Sequence, residues 1–230
     1  MNPSPEMADL TLVIGNRNYS SWSVRPWLLM RHAGLEFREV RIALDEADTR
    51  DRILEYSPSG KVPVLIHGTL RIWDSLAICE YVSEMLWNGR GWPRDPRVRA
   101  EARAAACEMH SGFAALRREL PMNCRARDRS VELSPEAAAD VARMCDLLES
   151  CRRRYGHDGR WLFGDFGVAD AMFAPVALRF STYGVDTPPE TRGWCRRIID
   201  HQAMAEWIKA AEAETEVLEA GEVGLAAPAT

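Results

Sequence analysis

Three serines lie close together after the first apolar run of the chain. Ser20, Ser21 and Ser23 end a polar loop and stand at the start of a predicted helix. A serine hydroxyl at this place can cap the free N–H groups of the helix. It can also donate a hydrogen bond to an anion held at the positive end of the helix dipole. The residue types alone favour capping, with anion binding by one of the three as the alternative.

A second helix start combines a carboxylate with a hydroxyl. Asp74 and Ser75 come directly before an apolar pattern at helical spacing, which predicts a helix over 75–86. The unpaired N–H groups of a helix N-terminus are a ready site for a carboxylate or a phosphate. Simple N-capping by Asp74 or Ser75 explains the same two residues equally well, so both interpretations stay open at this point.

The six cysteines do not have the spacing of a metal or redox site. They form no C-x-x-C pair, and no His-x-x-x-His pair accompanies them. Zinc sites and dithiol redox centres usually show such spacing. We therefore expect the cysteines to be small buried apolar side chains, and we predict no metal site.

Composition and charge argue against several classes of protein. Hydrophobic residues make up 47% of the 230 residues and charged residues 27%, which is typical of a globular chain. The net charge is −5 and the arginines alternate with acidic residues, so no nucleic-acid partner is predicted. No apolar run is long enough to span a membrane, and the polar start lacks the pattern of a secretory signal. We expect a cytoplasmic protein.

The spacing of apolar residues changes near residue 90. Before it, strand patterns at 10–14, 37–42, 62–66 and 69–73 are interleaved with helical patterns. The helices are predicted around residues 27–31, over 45–56 and over 75–86, and the two last strands form a hairpin around 67–68. The predicted order is β-α-β-α-β-β-α.

Beyond a linker rich in glycine and proline the pattern is helical throughout. One apolar stripe from 98 to 120 predicts a single long helix, and Ser134-Pro135 is typical of an N-cap followed by proline at the first position. Later helices are predicted over 168–180, which is apolar nearly all round, and over 189–199 and 204–213. We predict domains at 10–88 and 98–220, a linker at 89–97, and flexible ends at 1–9 and 221–230.

Four segments in this order resemble the cytosolic glutathione transferases. Residues 18–25, NYSSWSVR, are similar to the S-S-x-S-W-x-V-R stretch of zeta-class members, and residues 57–65, SPSGKVPVL, to the family's N-P-x-G-K-V-P-x-L segment. Residues 74–81, DSLAICEY, are similar to E-S-x-A-I-x-x-Y, and residues 164–170, GDFGVAD, to G-x-x-x-x-x-A-D. The resemblance implies a thioredoxin-like α/β domain followed by an all-α domain, with glutathione as co-substrate and no metal.

The resemblance also implies that one residue of the serine loop donates a hydrogen bond to the glutathione sulfur. A theta-like alignment selects Ser21, and a zeta-like alignment leaves Ser20 open and extends the choice to Tyr19. We prefer Ser21. The zeta-class pattern has a cysteine in this loop, and its absence here disfavours thiol-transfer chemistry, which needs a nucleophilic cysteine at the helix start.

By the same resemblance, the remaining motifs bind the peptide part of glutathione. A cis Val62-Pro63 bond would turn the Val62 main chain towards the cysteinyl backbone of glutathione, and Lys61 would reach the glycyl carboxylate. Ser75 would bind the γ-glutamyl carboxylate, and Asp74 would face the ammonium group. A trans proline, a solvated lysine and N-capping are the structural alternatives for these residues.

The electrophile is expected between the two domains, beside the first helix of the second domain. Met109, His110, Phe113 and Arg117 lie on successive turns of that predicted helix and are candidates for the pocket. Packing in the core is the alternative for Met109 and Phe113, and exposure to solvent for Arg117. Arg117 or Arg125 could attract an anionic substrate.

Three functions are compatible with these residues and motifs. The first is a glutathione transferase acting in detoxification on a small hydrophobic or anionic electrophile, as a homodimer. The second is a glutathione-dependent isomerase of the maleylacetoacetate type. The third is a non-catalytic module that binds glutathione or another partner, since a fold does not dictate a function. Gly167 and Asp170 are assigned a structural role at the start of a buried helix.

Overall fold

The structure, a computed structural model, describes residues 10–157 and 159–224. The predicted flexible start at 1–9 and residues 225–230 of the predicted tail lie outside these ranges. Within them, two domains follow one another along the chain, as the change of apolar spacing predicted.

The first domain is a four-stranded mixed sheet with helices, and its order of elements confirms the prediction. The elements are β1 (Leu10–Ile14), α1 (Ser21–His32), β2 (Arg38–Arg41), α2 (Thr49–Leu54), β3 (Val64–His67), β4 (Leu70–Trp73) and α3 (Ser75–Tyr81), which continues into one π-helical turn (Val82–Leu86). The strand order is β2-β1-β3-β4, with β1 and β2 parallel and the other pairs antiparallel. This is a thioredoxin-like sheet. The second helix is shorter than the predicted span of 45–56, and Ile53 is its one buried residue.

The register of the sheet brings the three candidate segments to one edge. Val13 of β1 lies opposite Val64 of β3, and Val64 lies opposite Trp73 of β4. The loop that follows β1, the segment that precedes β3 and the helix start that follows β4 therefore meet at the same end of the sheet. Sequence positions separated by about fifty residues become neighbours because antiparallel strands reverse the direction of the chain.

The second domain is helical. Its elements are α4 (Pro96–Ser111), α5 (Ala114–Glu119), α6 (Pro135–Tyr155), α7 (Val168–Thr182), α8 (Pro189–Ile199) and α9 (Gln202–Glu212). Nearly every residue of α7 is buried, so this helix forms the centre of the domain, as its all-round apolar sequence predicted. Ser134 caps α6 by accepting the Ala137 N–H, which confirms the predicted helix start.

The prediction of one helix over 98–120 is wrong, because the chain breaks between α4 and α5. Gly112 is extended, and Phe113 has a left-handed backbone with φ of 60°. The apolar stripe continues across the break because Phe113 still packs in the core. Arg117 donates hydrogen bonds to the carbonyls of Met109 and Gly112, which satisfies acceptors that the interrupted helix leaves open.

The two domains share one apolar core. Trp27 of α1 meets Trp207 of α9 edge to face, with 5.1 Å between ring centroids, and the Trp207 indole donates to the Arg17 carbonyl. Five cysteines are buried, as expected, and the expectation is wrong for Cys107, which is exposed on α4. No helix in the described ranges has the length and apolar character needed to cross a lipid bilayer.

Candidate active site

The serines at the start of α1 divide into two groups. Ser20 is the N-cap, and its hydroxyl accepts the Ser23 N–H at 3.4 Å and donates to the Ser23 hydroxyl at 2.7 Å. The Ser23 hydroxyl in turn accepts the Gly15 N–H at 3.1 Å. Both side chains are thus committed to holding the loop against the helix, which is the capping role that the sequence favoured.

Ser21 differs from its two neighbours. It is the first residue of α1 and only 6% exposed, and its hydroxyl has no hydrogen-bond partner within the described part of the chain. Its position at the helix N-terminus places it where the partial positive charge of the helix is concentrated. The loop thereby presents one uncommitted hydroxyl to any anion bound at this edge of the sheet.

Tyr19 has a hydroxyl that is already occupied. It donates to a Glu222 carboxylate oxygen at 2.7 Å and accepts from the Arg125 guanidinium at 2.8 Å, and Gly221 packs against its ring. Residues 221–224 thus differ from the predicted flexible tail, because the Glu222 carboxylate anchors them to the body of the chain. Arg125 also donates to the carbonyls of Glu214 and Glu216, so its charge is used within the protein.

The segment before β3 adopts the backbone that the resemblance implies. The Val62-Pro63 peptide bond is cis, and Val62 is half-buried against the small apolar cluster that contains Val13 and Val64. Lys61 is exposed beside it.

The start of α3 combines one satisfied and one unsatisfied side chain. Asp74 caps the helix by accepting the Leu76 N–H at 2.9 Å, and it does so with a left-handed backbone, φ 76°. A non-glycine residue in this region is strained, which is a recurring feature of binding sites. The Ser75 hydroxyl is fully buried and has no hydrogen-bond partner within the described residues. A buried hydroxyl without a partner is costly unless a ligand supplies one.

His110 and Arg117 are residues of the helical domain that lie close to this edge of the sheet. The His110 Nε2 lies 3.1 Å from the second carboxylate oxygen of Asp74, and its ring packs edge to face on Trp22 at 5.3 Å. The Arg117 guanidinium carbon lies 4.9 Å from the centre of the Trp22 ring. The structure therefore places Arg117 against an aromatic ring, and not in solvent, which was its structural alternative.

The other two candidates for the electrophile pocket lie deeper. Met109 is fully buried and Phe113 is 6% exposed, and both belong to the main apolar core. Packing in the core, the alternative that their apolar character left open, describes their surroundings.

Sequence reasoning did not single out Trp22 and Arg25. Trp22 is a large apolar side chain that remains 37% exposed, and the Arg25 guanidinium carbon lies 4.3 Å from the centre of its ring. Burial, together with the neighbouring charges of Arg117 and Arg179, lowers the pKa of Arg25 well below its ordinary value. The signal in the sequence was the spacing of Trp22 and Arg25, because residues three apart in a helix share a face.

Comparison with known proteins places this arrangement in a family. Residues 19–85 match the family model "Glutathione S-transferase, N-terminal domain". Glutathione S-transferase 1 of Dianthus caryophyllus is 30% identical over 186 residues, which are 80% of this chain and 83% of that protein. The chain belongs to the glutathione S-transferase family.

Two further relatives of this transferase cover most of its length. A probable maleylacetoacetate isomerase of Caenorhabditis elegans is 27% identical over 174 residues, which are 75% of this chain and 79% of that protein. A glutathione transferase homologue from Burkholderia GL BGR1, whose crystal structure contains bound glutathione, matches the fold with a TM-score of 0.67 at 22% identity. The match covers 88% of this chain and 98% of that one.

The start of α7 is held by a buried carboxylate, away from the edge of the sheet. Asp170 accepts hydrogen bonds from the Leu162 N–H, the Gly167 N–H and the Trp194 indole, at 3.1, 3.2 and 2.8 Å. Burial raises the pKa of Asp170 to about 6, in opposition to these hydrogen bonds. Among the described residues, no group of three or more histidine, cysteine, aspartate or glutamate side chains is placed to hold a metal ion.

Proposed function

We propose that this glutathione S-transferase binds glutathione along the edge of the sheet and that Ser21 activates the thiol for attack on a small electrophile. The observation that carries the proposal is the division of hydroxyls at the start of α1. Ser20, Ser23 and Tyr19 are hydrogen-bonded within the protein, whereas Ser21 has no protein partner in the described residues. Ser21 is therefore the hydroxyl that can serve a sulfur without first breaking a structural contact.

One hydrogen-bond donor at a helix N-terminus can lower the pKa of the glutathione thiol by the amount that activation needs. A free thiol has a pKa of about 8.5, so that only a few per cent is thiolate at neutral pH. A fall of about two units needs roughly 2.7 kcal/mol of preferential stabilisation of the thiolate. A hydrogen bond to a charged acceptor and the helix dipole together supply energy of this order.

The peptide part of glutathione has partners along the same edge. The Ser75 hydroxyl and the N–H groups at the start of α3 would bind the γ-glutamyl carboxylate, and the Asp74 carboxylate would face the ammonium group. The main chain of Val62 would pair with the cysteinyl backbone as an added strand, and Lys61 would neutralise the glycyl carboxylate. The buried, unpaired hydroxyl of Ser75 supports this orientation.

The electrophile would enter between the domains, beside Trp22, His110 and Arg117, and it would be a small hydrophobic or anionic molecule. We also infer a homodimer in the cytoplasm, as the family resemblance implies. A glutathione-dependent isomerase of the maleylacetoacetate type is the second candidate, favoured by the similarity to the nematode protein. It uses the same activated thiol, so that Ser21 would have the same role.

The test is the ultraviolet absorbance of the thiolate when glutathione is added to the pure protein near neutral pH. A saturable thiolate band is expected for the wild type and should disappear in Ser21→Ala. Ser20→Ala is the matched control, because it removes a neighbouring hydroxyl that serves the helix cap, and its band should persist. Glutathione binding without the band in the wild type would contradict thiol activation and favour the non-catalytic module. Loss of the band in Ser20→Ala but not in Ser21→Ala would show that Ser20 is the donor instead.

A further inference from the structure

A buried arginine without an acceptor lies beside the proposed electrophile pocket. Arg25 is fully buried, and all three nitrogen atoms of its guanidinium group have no hydrogen-bond partner within the described residues. Arginine remains protonated in proteins, and its five N–H groups each need an acceptor once they leave water. An unpaired buried charge costs several kcal/mol. No acceptor for this guanidinium group is found within residues 10–157 and 159–224, so a negative group bound there would remove the cost of its burial.

The surroundings of Arg25 increase this requirement. The charges of Arg117 and Arg179 lower its pKa, in addition to burial. The one carboxylate that raises the pKa of Arg25 is that of Asp74, which already accepts the Leu76 N–H and faces His110. Cys79 also favours the charged form if ionised, but burial raises the pKa of that thiol far above its ordinary value, so the thiol is neutral.

Arg179 shows how a structural arginine is satisfied in the same region. It too is buried, at 4% exposure, and its Nε has no partner among the described residues, but its Nη1 donates to the carbonyls of Arg117 and Leu120. It holds the end of α5 against α7. Arg25 has no such carbonyl, so burial alone does not explain why its charge is present.

Trp22 connects Arg25 to the pocket. The guanidinium carbons of Arg25 and Arg117 lie 4.3 and 4.9 Å from the centre of its ring, so the two cations share one indole. Trp22 itself remains 37% exposed, and His110 packs on its edge. Because Arg25 has no exposed surface, a ligand reaches it only by taking the place of this partly exposed indole, and an anion there would meet both guanidinium groups.

We propose that Arg25 and Arg117 form a subsite for the negative charge of the second substrate, and that this transferase prefers electrophiles bearing a carboxylate. The proposal rests on the proposed function, since it concerns the molecule that the activated thiol attacks. The carboxylates of glutathione have separate partners in that function, at Ser75 and Lys61. A planar carboxylate matches the fork of a guanidinium group, which favours this anion over a spherical one.

The first experiment compares two electrophiles that differ in one substituent, which is negatively charged in 4-chloro-3,5-dinitrobenzoate and neutral in 4-chloro-3,5-dinitrobenzamide. In both, the glutathione sulfur forms a bond to the ring carbon and chloride leaves with its electron pair, so the reaction balances without a further reagent. Each kcat/KM is divided by the rate constant of the uncatalysed reaction, which removes the difference in intrinsic reactivity. The wild type should prefer the acid by at least about tenfold, the effect of one charged hydrogen bond.

Arg25→Met should bring this preference close to one, because the carboxylate loses its partner at Arg25 and the amide has no charge to lose a partner for. Arg25→Lys, which keeps the charge but loses the fork, should give an intermediate preference. Arg31→Met is the matched control, because Arg31 lies on the same helix and against another indole, Trp27, but is paired with Glu206. Its preference should equal that of the wild type.

The second experiment does not depend on catalysis. The non-reactive 3,5-dinitrobenzoate should raise the Tm of the wild type and of Arg31→Met but not of Arg25→Met, and 3,5-dinitrobenzamide should raise none of them. Without ligand, Arg25→Met should unfold at a higher temperature than the wild type, because it removes an uncompensated buried charge. An inactive wild type that still shows this pattern would refute the proposed function and keep the anion subsite.

Three results would overturn the proposal. The first is a wild type without preference for the acid and without a rise in Tm on adding the benzoate. The second is a preference that survives in Arg25→Met and in Arg25→Lys. The third is a loss of glutathione affinity in Arg25→Met with both electrophiles slowed equally, because the anion at Arg25 would then be a carboxylate of glutathione.

Discussion

The two ends of α1 both contact the helical domain, but their polar side chains are satisfied in different ways. At the C-terminal end, His32 lies 2.9 Å from His201, nitrogen to nitrogen, and Arg31 is paired with Glu206 at 2.7 Å. At the N-terminal end, the Ser21 hydroxyl and the Arg25 guanidinium have no protein partner in the described residues. The C-terminal end has the polar pairing of a structural interface. The N-terminal end leaves these two groups without partners among the described residues, which is the arrangement expected of the binding site that we propose.

The same contrast extends to aromatic packing. His32 packs on Phe166 at a tilt of 30°, with 4.2 Å between ring centroids, in a cluster that also contains Trp161. At the N-terminal end, Trp22 is partly exposed and packs on His110 and two arginines. The cluster around His32 joins the two domains and lines a cavity with Trp87, whereas at the N-terminal end the Trp22 indole lies at the surface.

The largest expected effect is at Ser21. Ser21→Ala should lower kcat at least tenfold while the affinity for glutathione stays similar, because it removes the donor to the thiolate and no contact within the protein. Steady-state kinetics with any accepted electrophile measures kcat, and calorimetric titration measures the affinity. A variant with nearly unchanged turnover would show that the uncommitted hydroxyl has no catalytic role.

Ser75 tests whether an unpaired hydroxyl also serves a ligand at the start of a second helix, α3. Ser75→Ala should weaken glutathione binding about tenfold, since a hydrogen bond to a carboxylate is lost. It should not lower the free energy of unfolding and should raise it slightly, because the variant loses no protein hydrogen bond and removes a buried hydroxyl without a partner.

The control for Ser75 is Ser134, which caps α6 and also donates to Glu119 at 2.8 Å. Ser134→Ala should lower the free energy of unfolding by about 1 kcal/mol and leave glutathione binding unchanged. Equal effects of the two variants on both quantities would contradict the division into satisfied and unsatisfied helix starts.

The pair of His32 and His201 at the C-terminal end of α1 predicts that the stability of the protein depends on pH. Burial and the neighbouring His201 lower the pKa of His32 from 6.5 to about 4. Between these two values the unfolded chain binds a proton that the folded protein does not, so stability is lost as the pH falls from 6.5 to 4. Because the ring is half-exposed, solvent screening reduces the contribution to about 1–2 kcal/mol.

His32→Phe keeps a ring on Phe166 and removes the titration. Urea unfolding at pH 7 and pH 4.5 should show a smaller loss of stability for this variant than for the wild type, with turnover at pH 7 unchanged. An equal loss in both proteins would mean that carboxylates elsewhere account for the acid sensitivity.

The smallest expected effect is at Ser20. Ser20→Ala removes the N-cap of α1 and should lower the free energy of unfolding by about 1 kcal/mol, with turnover per folded molecule reduced less than twofold. A loss of turnover as large as that of Ser21→Ala would mean that the cap positions the thiol as strictly as the donor does.

Most elements of the fold could be predicted because their signals are local. The alternation of β1, the start of α6 at Ser134-Pro135 and the buried run of α7 can each be recognised within a few residues. The break at Gly112 and Phe113 could not, since the apolar stripe is continuous across it. Phe113 adopts a left-handed backbone while its side chain packs among core residues from distant parts of the sequence. No local pattern of the sequence predicts those contacts.

The candidate site was predictable to the level of its motifs, and less so to the level of its atoms. The serine loop and the Asp74-Ser75 start were found from residue type and spacing. Which serine is uncommitted depends on the Gly15 N–H, and whether Tyr19 is available depends on Glu222, about two hundred residues away. Such hydrogen bonds join segments that are distant in the sequence, so no local pattern predicts them.

By itself, the sequence determined the family motifs, the two domains and the helix starts that attract anions, because periodicity and capping act over a few residues. Tertiary structure alone decided which of these polar groups are satisfied. It paired Tyr19 with Glu222 and His32 with His201, and it buried Arg25 without an acceptor among the described residues. The reason is physical: burial and the presence of a partner are properties of three-dimensional neighbours, and they decide whether a polar residue stabilises the fold or is left for a ligand.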